Sequence, residues 1–193
     1  MQELLVDFII SLDGYAAAEG WPGWWGLEGP EYLAWLDEQP EGEYAILMGA
    51  NTYRQMYGFF AESASAESGL TDNEESATAS LTNASKIVFS STLEGPLPWA
   101  NTQLVSGDAV EAVAAMKRDG TSPMRTIGSL TLCRSLLEAG LVDRYRVVIF
   151  PVITGSTGYE RIYDGYPDVA LEMTDSRTFD GRIQLLEYVP SLI

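Results

Sequence analysis

The sequence contains no histidine and only one cysteine, and each shortage excludes a class of function. Without histidine there can be no Ser-His-Asp or Cys-His catalysis and no histidine-based zinc site. The single cysteine excludes an intramolecular disulfide, and Cys133 falls on the apolar side of a predicted helix, where a buried hydrophobic role is expected. Any chemistry must therefore use carboxylates, tyrosines, lysine or a cofactor with its own reactivity.

Positive charge and long apolar runs are also scarce. Eleven basic residues against 28 acidic ones give a net charge of −17, which repels nucleic acid and anionic membranes. The N-terminal apolar run is too short to cross a bilayer and has no basic leader, so we expect a cytoplasmic protein. A phosphate-bearing ligand would have to be held by backbone amides, hydroxyls and helix dipoles. The acidic cluster at residues 72–75 lacks calcium-loop spacing, and no metal site is predicted.

Alternating apolar runs and helical periodicity predict an α/β fold. Strands are predicted over residues 4–11, 44–48, 86–90, 103–106, 124–127 and 145–153, and helices over residues 30–39, 53–60, 109–118 and 130–139. A hairpin around Asp180 and Gly181 follows. The prediction is a mixed, mostly parallel sheet with flanking helices and a closing antiparallel hairpin. Residues 1–193 are expected to form one domain, with an acidic Ser- and Ala-rich insertion around residues 61–80.

Small or hydroxyl-bearing residues follow three of the predicted strands, at residues 49–52, 90–92 and 128–131. The carboxyl ends of parallel strands line one edge of a sheet, where phosphate-bearing ligands bind near helix N-termini. Asn51 or Thr52 is predicted to cap one of the following helices, Ser129 another, and Asp108 the helix over residues 109–118. None of the three segments is a GxGxxG or Walker sequence, so an ordinary capped turn is the simpler interpretation of each one alone.

Residues 16–30 contain several tryptophans among glycines and prolines and are predicted to be a loop. Such a loop can cover a flat ligand, or it can pack on the core or on a second subunit. Two carboxylates near this loop, Asp13 and Glu31, are candidate proton donors if burial raises their pKa. The alternatives are a turn-forming aspartate and a solvated first-turn helix residue.

Six segments occur in one order along nearly the whole chain, at residues 11–15, 47–53, 86–93, 127–129, 140–143 and 151–155. Together they resemble the dihydrofolate-reductase-like family, and within it the stand-alone homologues of the C-terminal reductase domain of the bifunctional riboflavin-biosynthesis protein. The resemblance implies a twisted sheet of about eight strands. It further implies NADPH bound along the sheet edge, hydride transfer to a small heterocycle such as 5-amino-6-(5-phosphoribosylamino)uracil, and a homodimer.

The resemblance also implies roles for particular residues. The cofactor would contact Gly49, Asn51, Thr52, Ser90, Ser91, Thr92, Gly128, Ser129, Leu130 and Thr131. The substrate would face Trp21, Trp24 and Tyr57, with Asp13, Glu31 and Tyr32 as the catalytic candidates. The family usually has basic residues where this chain has Ala50, Asn51 and Ser91, so NADH is not excluded. The alternatives are a non-catalytic protein that binds a nucleotide or pterin-like ligand, and an interaction module that uses its tryptophans.

Overall fold

The buried apolar runs of the sequence become the central strands of one sheet in the computed structural model, which describes residues 1–19, 25–65 and 79–193. The strands are β1 (Leu4–Ser11), β2 (Tyr15–Ala18), β3 (Ala45–Gly49), β4 (Lys86–Phe89), β5 (Thr102–Val105), β6 (Met124–Thr126), β7 (Arg144–Phe150), β8 (Gly158–Arg161), β9 (Val169–Phe179) and β10 (Ile183–Leu192). The helices are α1 (Pro30–Glu38), α2 (Ala50–Ser65), α3 (Ala109–Asp119) and α4 (Leu130–Glu138), with short 3-10 turns at Pro40–Glu43 and Gly155–Thr157.

The main sheet has eight strands in the order β5-β4-β3-β6-β1-β7-β10-β9. The strands from β5 to β7 run parallel, and β10 and β9 close the sheet as an antiparallel hairpin. This confirms the predicted mixed, mostly parallel sheet and its hairpin. Because β4, β3 and β6 are parallel neighbours, the residues that follow them lie at the same edge of the sheet.

Helices cover both faces of the sheet, since side chains alternate between the faces along each strand. One face packs against α3 and α4 through a core that includes Leu4, Val6, Phe8, Val113, Leu132 and Leu136. On the other face, α1 contributes Tyr32 to a cluster with Val148 and Phe150, and α2 contributes Tyr53 to a cluster with Met48 and Val88. The two faces of the sheet therefore carry separate helix pairs.

A buried ion-pair network lies on the sheet face that carries α1. The Arg146 side chain is 2% exposed, and its Nε and Nη2 donate to the two carboxylate oxygens of Asp7 at 3.1 and 2.7 Å. Its Nη2 also donates to Gln39 at 2.9 Å, its Nη1 lies 3.4 Å from Glu41, and its guanidinium carbon lies 5.0 Å from the Trp35 ring centre. The charged residues in these apolar strands are thus paired with one another, as buried charges must be.

The β9–β10 hairpin caps helix α1 from the far end of the chain. The carboxylate of Asp180 accepts from the backbone N–H of Glu31 at 3.0 Å and of Tyr32 at 3.2 Å. Glu31 reciprocates, because its carboxylate accepts from the Asp180 N–H at 2.5 Å. A Cβ at Gly29 would lie 2.3 Å from the Asp180 side chain, so only glycine leaves room for this contact. Asp180 therefore takes the place of the side-chain cap that α1 does not have at its own N-terminus.

Replacing Asp180 with alanine should destabilise the fold. The Asp180→Ala variant loses both cap bonds and places alanine at a φ of 51°, so we expect a loss of about 1–2 kcal/mol in the free energy of unfolding. The Asp180→Asn variant keeps an acceptor oxygen and tolerates that backbone conformation, and it should lose less than half as much. Urea unfolding of both variants checks this, and equal losses would contradict the capping role.

Three details of the predicted elements are wrong. Residues 16–18 are not loop but belong to β2, which pairs with β8 in a separate two-stranded antiparallel sheet. Helix α2 begins at Ala50, so Asn51 and Thr52 lie within its first turn and do not cap it. That helix also continues to Ser65, into the segment predicted to be an insertion, and residues 66–78 lie outside the described part of the chain. Within the described ranges, none of the helices is long and apolar enough to cross a membrane.

Candidate active site

The ends of β3 and β6 are joined by hydrogen bonds at the sheet edge. The backbone N–H of Gly49 donates to the Ser129 hydroxyl at 2.8 Å, and that hydroxyl donates to Oγ1 of Thr52 at 2.8 Å. A Cβ at Gly128 would lie 3.4 Å from the Thr52 side chain, so the two turns are in close contact. Two of the three predicted segments, residues 49–52 and 128–131, are therefore brought together.

The turn that leads into α4 has an unusual backbone. Gly128 has φ 54° and Ser129 has φ 64°, a conformation that is uncommon for a residue other than glycine. The prediction that the Ser129 side chain caps α4 is wrong, because its hydroxyl is engaged with Gly49 and Thr52 and makes no cap bond. The first N–H groups of a helix have no acceptor within it, so Ser129 leaves those of α4 available to an anion.

A cavity of about 300 Å³ opens beside this turn. It lies between the ends of β3 and β4 and the N-termini of α3 and α4, and it is lined by Gly49, Phe89, Asp108, Ala109, Val110, Thr131, Leu132 and Ser135. Its volume is at the lower end of the range for ligand pockets and suits one half of a dinucleotide. Its polar groups are hydroxyls, helix N–H groups and one carboxylate, which fits a phosphate-bearing cofactor held without a basic patch.

The third predicted segment, residues 90–92, lies at the same edge but is more open. The Ser90 hydroxyl accepts from the backbone N–H of Thr92 and of Leu93, each at 3.1 Å, and so forms a local turn. Ser91 and Thr92 are exposed. These residues border the same edge of the sheet, since Ser90 directly follows β4, the neighbour of β3.

The other predicted cofactor residues differ in exposure. Asn51 is exposed, and its side-chain oxygen accepts from Nη1 of Arg54 at 3.3 Å. Leu130 is half-buried in the first turn of α4, while Thr131 is exposed and lines the cavity. Asp108 was predicted only as a helix cap, and its Oδ1 does accept from Val110 N–H at 2.8 Å and Glu111 N–H at 3.0 Å. Its position in the cavity depends on how α3 packs beside α4, for which the sequence gives no local signal.

Asp13 is a structural carboxylate in the described structure. It accepts from the Ser11 hydroxyl at 2.6 Å, from the Thr154 N–H at 3.2 Å and from the Gly155 N–H at 3.0 Å. The Ser11 hydrogen bond, followed by those from Gly155 and Thr154, lowers the pKa of Asp13 from 3.8 to about 2. The expectation of a raised pKa is wrong because hydrogen bonds to the charged form outweigh burial, and Asp13 is ionised at neutral pH.

This hydrogen-bonded carboxylate should make stability depend on acid pH. The pKa of Asp13 is lower in the folded state, about 2, than its ordinary 3.8, so its stabilisation is full above pH 4. It declines as the pH falls from 4 towards 2. We expect the Asp13→Asn variant to be less stable than the parent at pH 7, with the gap narrowing at pH 3. Urea midpoints at both pH values check this, and a gap that widens in acid would contradict it.

The remaining catalytic and substrate candidates lie in different surroundings. Glu31 is exposed and engaged with Asp180, whereas Tyr32 is fully buried between Phe150 and Phe179. Burial raises the pKa of Tyr32, and its hydroxyl makes no hydrogen bond within the described ranges. The ring of Tyr57 stacks on that of Tyr53 at 5.8 Å, within the cluster under α2.

Trp21 and Trp24 lie outside the described residues, so their predicted contact with substrate stays a prediction. Cys133 is confirmed as a buried side chain, and burial raises the pKa of its thiol to about 12, which makes it a poor nucleophile.

The eight-stranded mixed sheet with its closing antiparallel hairpin is the α/β fold of the dihydrofolate-reductase-like class. The chain belongs to the RibD C-terminal domain family, which its sequence matches over residues 2–185. A comparison with curated protein sequences gives no significant match.

Solved structures share this fold at low sequence identity. A putative riboflavin biosynthesis protein from Shewanella sp. PV-4 is 18% identical with a TM-score of 0.70, covering 98% of this chain and 99% of its own. A pyrimidine reductase-like protein from Corynebacterium diphtheriae is 17% identical with a TM-score of 0.65, covering 98% and 92%. The diaminohydroxyphosphoribosylaminopyrimidine deaminase/5-amino-6-(5-phosphoribosylamino)uracil reductase from Thermotoga maritima is 17% identical with a TM-score of 0.64, and the match covers 98% of this chain and 57% of that protein.

Proposed function

We propose that this protein binds a nicotinamide dinucleotide along the strand edge and transfers hydride to a pyrimidine such as 5-amino-6-(5-phosphoribosylamino)uracil. The observation that carries the proposal is the joined pair of turns at Gly49, Thr52 and Ser129, with the cavity beside it. Family membership and the reductase activity for which the Thermotoga maritima protein is named support the reaction class. The bound cofactor would supply the hydride, and the protein would bind and orient both reactants.

The binding roles follow from the groups at the edge. The N–H groups of α4 at Leu130 and Thr131 would hold the pyrophosphate, because the helix dipole favours an anion there. The hydrogen bonds among Gly49, Thr52 and Ser129 would keep this turn rigid, so that the pyrophosphate meets a preformed site. Asp13 is not proposed as the proton donor, because its carboxylate is already ionised and hydrogen-bonded.

The test is a spectrophotometric assay of cofactor oxidation. When purified protein is mixed with 5-amino-6-(5-phosphoribosylamino)uracil and either NADH or NADPH, the absorbance of the reduced cofactor should fall. With boiled protein it should stay constant. Calorimetric titration of each dinucleotide alone separates binding from turnover. Binding without oxidation in the presence of this pyrimidine would instead support a non-catalytic ligand-binding protein, an alternative favoured by the hydrogen-bonded state of Asp13 and Glu31.

We also propose that residues 1–193 form one domain and that two copies form a homodimer. The β9–β10 hairpin supports the second point, because Leu171, Met173 and Leu192 are about half exposed, at 45, 54 and 50%, on one of its faces. A chain with a net charge of −17 would self-associate most readily through an uncharged surface.

The dimer proposal makes a specific prediction. Sedimentation should give twice the chain mass for the parent, and Met173→Glu should shift the protein to the monomer because it places a charge on the proposed contact. Val189→Glu is the matched control, since Val189 is also exposed, at 40%, but points to the opposite face of β10. A monomeric parent would contradict the proposal.

A further inference from the structure

The cavity at the strand edge contains one charged side chain, and that charge is negative. Asp108 is the charged member of the set that lines it, and the other members are apolar, glycine or hydroxyl residues. Asp108 is held in place at the start of α3, because its Oδ1 accepts from the N–H groups of Val110 and Glu111. The carboxylate is therefore fixed at the start of α3, beside the cavity that residues of α4 also line.

The direction of a bound dinucleotide follows from this geometry, on the premise of the proposed function. With its pyrophosphate at the N-terminus of α4, one half of the cofactor extends towards β4 and into the cavity, and the other extends past β6 towards the centre of the sheet. The nicotinamide must reach a substrate, and the cavity between α3 and α4 lies beside β3 and β4, away from β1 and β7 at the centre of the sheet. The adenosine half therefore occupies the cavity, with its ribose near Asp108.

All eleven basic residues lie in the described part of the chain, and none is among the residues that line the cavity. Ion pairs hold Lys117, Arg118, Arg144, Arg146 and Arg177. Lys86 donates to three backbone carbonyls. Four further arginines lie at other places in the fold: Arg125 in strand β6, Arg134 beside Gly165, Arg161 beside Gly14 and Arg182 after the hairpin turn. Arg54 remains as the basic side chain nearest in sequence to the edge, and it is exposed, bonded to Asn51 and outside the cavity lining.

We infer that Asp108 and the cation-free cavity select NADH over NADPH. A carboxylate accepts a hydrogen bond from the 2′-hydroxyl of an adenosine ribose, as in NAD-binding sites of other folds. The same carboxylate repels a 2′-phosphate, and no arginine or lysine of the cavity lining compensates for that repulsion. Because Asp108 is exposed to solvent, the discrimination should be about tenfold rather than larger.

Calorimetric titration of the intact protein with NADH, NADPH, ADP and 2′-phospho-ADP tests this inference by binding alone. The parent should bind NADH about tenfold more tightly than NADPH, and ADP more tightly than its 2′-phosphate, by the same factor. The Asp108→Asn variant keeps an acceptor for the helix cap, so the fold is retained and the preference should shrink at least threefold, mainly through tighter NADPH binding. Asp119→Asn removes the same charge from the other end of α3 and should leave the preference unchanged.

Each contrary outcome has a distinct meaning. Equal or tighter binding of NADPH by the parent would overturn the inference while leaving the proposed function intact. A selective loss of NADPH binding in Arg54→Ala would identify Arg54 as a ligand of the 2′-phosphate and would also overturn it. Failure of all four nucleotides to bind would overturn the proposed function together with the inference.

Discussion

The Thr131→Glu variant should lose nucleotide binding by about a hundredfold while its stability is unchanged or slightly raised. Thr131 is exposed, lies in the first turn of α4 and lines the cavity. A carboxylate there would occupy the helix N-terminus that the pyrophosphate requires and would repel the incoming phosphates. The same carboxylate interacts favourably with the helix dipole and stabilises the folded protein by about 0.3–1 kcal/mol. Unfolding therefore cannot explain the loss of nucleotide binding.

The matched control for this variant is Thr131→Gln, which has nearly the same size as glutamate and no charge. It should bind nucleotide within about threefold of the parent, since a change of that size is worth less than 1 kcal/mol. Calorimetry gives the dissociation constants, and thermal melting gives the stabilities. If the glutamate and glutamine variants weaken binding equally, the effect is steric and the electrostatic account of the edge is wrong.

The Arg146→Met variant should be the most destabilised of the single variants considered, by about 3–5 kcal/mol in the free energy of unfolding. Methionine fills much of the same volume, but Asp7 would remain largely buried without its guanidinium partner, whereas Glu41 keeps its 2.7 Å ion pair with Arg144. The penalty therefore comes from uncompensated charge rather than from a cavity. Guanidinium chloride unfolding measures it directly.

A double-mutant cycle separates pairing from packing. Adding Asp7→Asn to Arg146→Met removes the charge that has lost its partner, so the double variant should be more stable than the sum of the single losses predicts. The exposed Arg177–Asp175 pair has a similar 2.7 Å contact, and Arg177→Met should cost less than about 1 kcal/mol. Additive losses, or an Arg146→Met cost as small as that of the exposed pair, would contradict the account.

The sheet could be predicted from the sequence because its strands carry strong local signals. Signals within a few residues of sequence are enough to predict the continuous apolar runs of β1 and β7, the Asp180-Gly181 turn and the helix cap at Asp108. Strand β2 could not be predicted, since residues 15–18 become a strand only because β8 lies beside them. The resemblance supplied the number of strands, about eight, which local periodicity does not contain.

The site could be predicted only in part, for the same physical reason. The sequence placed small and hydroxyl residues at three strand ends, and the fold brings them to one edge. It did not indicate that the Ser129 hydroxyl would turn to Gly49 and Thr52 instead of capping α4. Nor did it indicate that Asp180, 149 residues from Glu31, would supply the cap of α1. These contacts join residues far apart in sequence, so they depend on packing rather than on local pattern.

The most direct test of the central claim is an NMR titration of the isotopically labelled protein with NADH. The account predicts saturable shifts of backbone amide signals that are largest at residues 49–52, 108–110 and 128–132, because these line the cavity and the N-termini of α3 and α4. Amides of the β9–β10 hairpin should change least. Saturable shifts confined to other parts of the sheet, or none at millimolar NADH, would contradict the claim that this edge is the dinucleotide site.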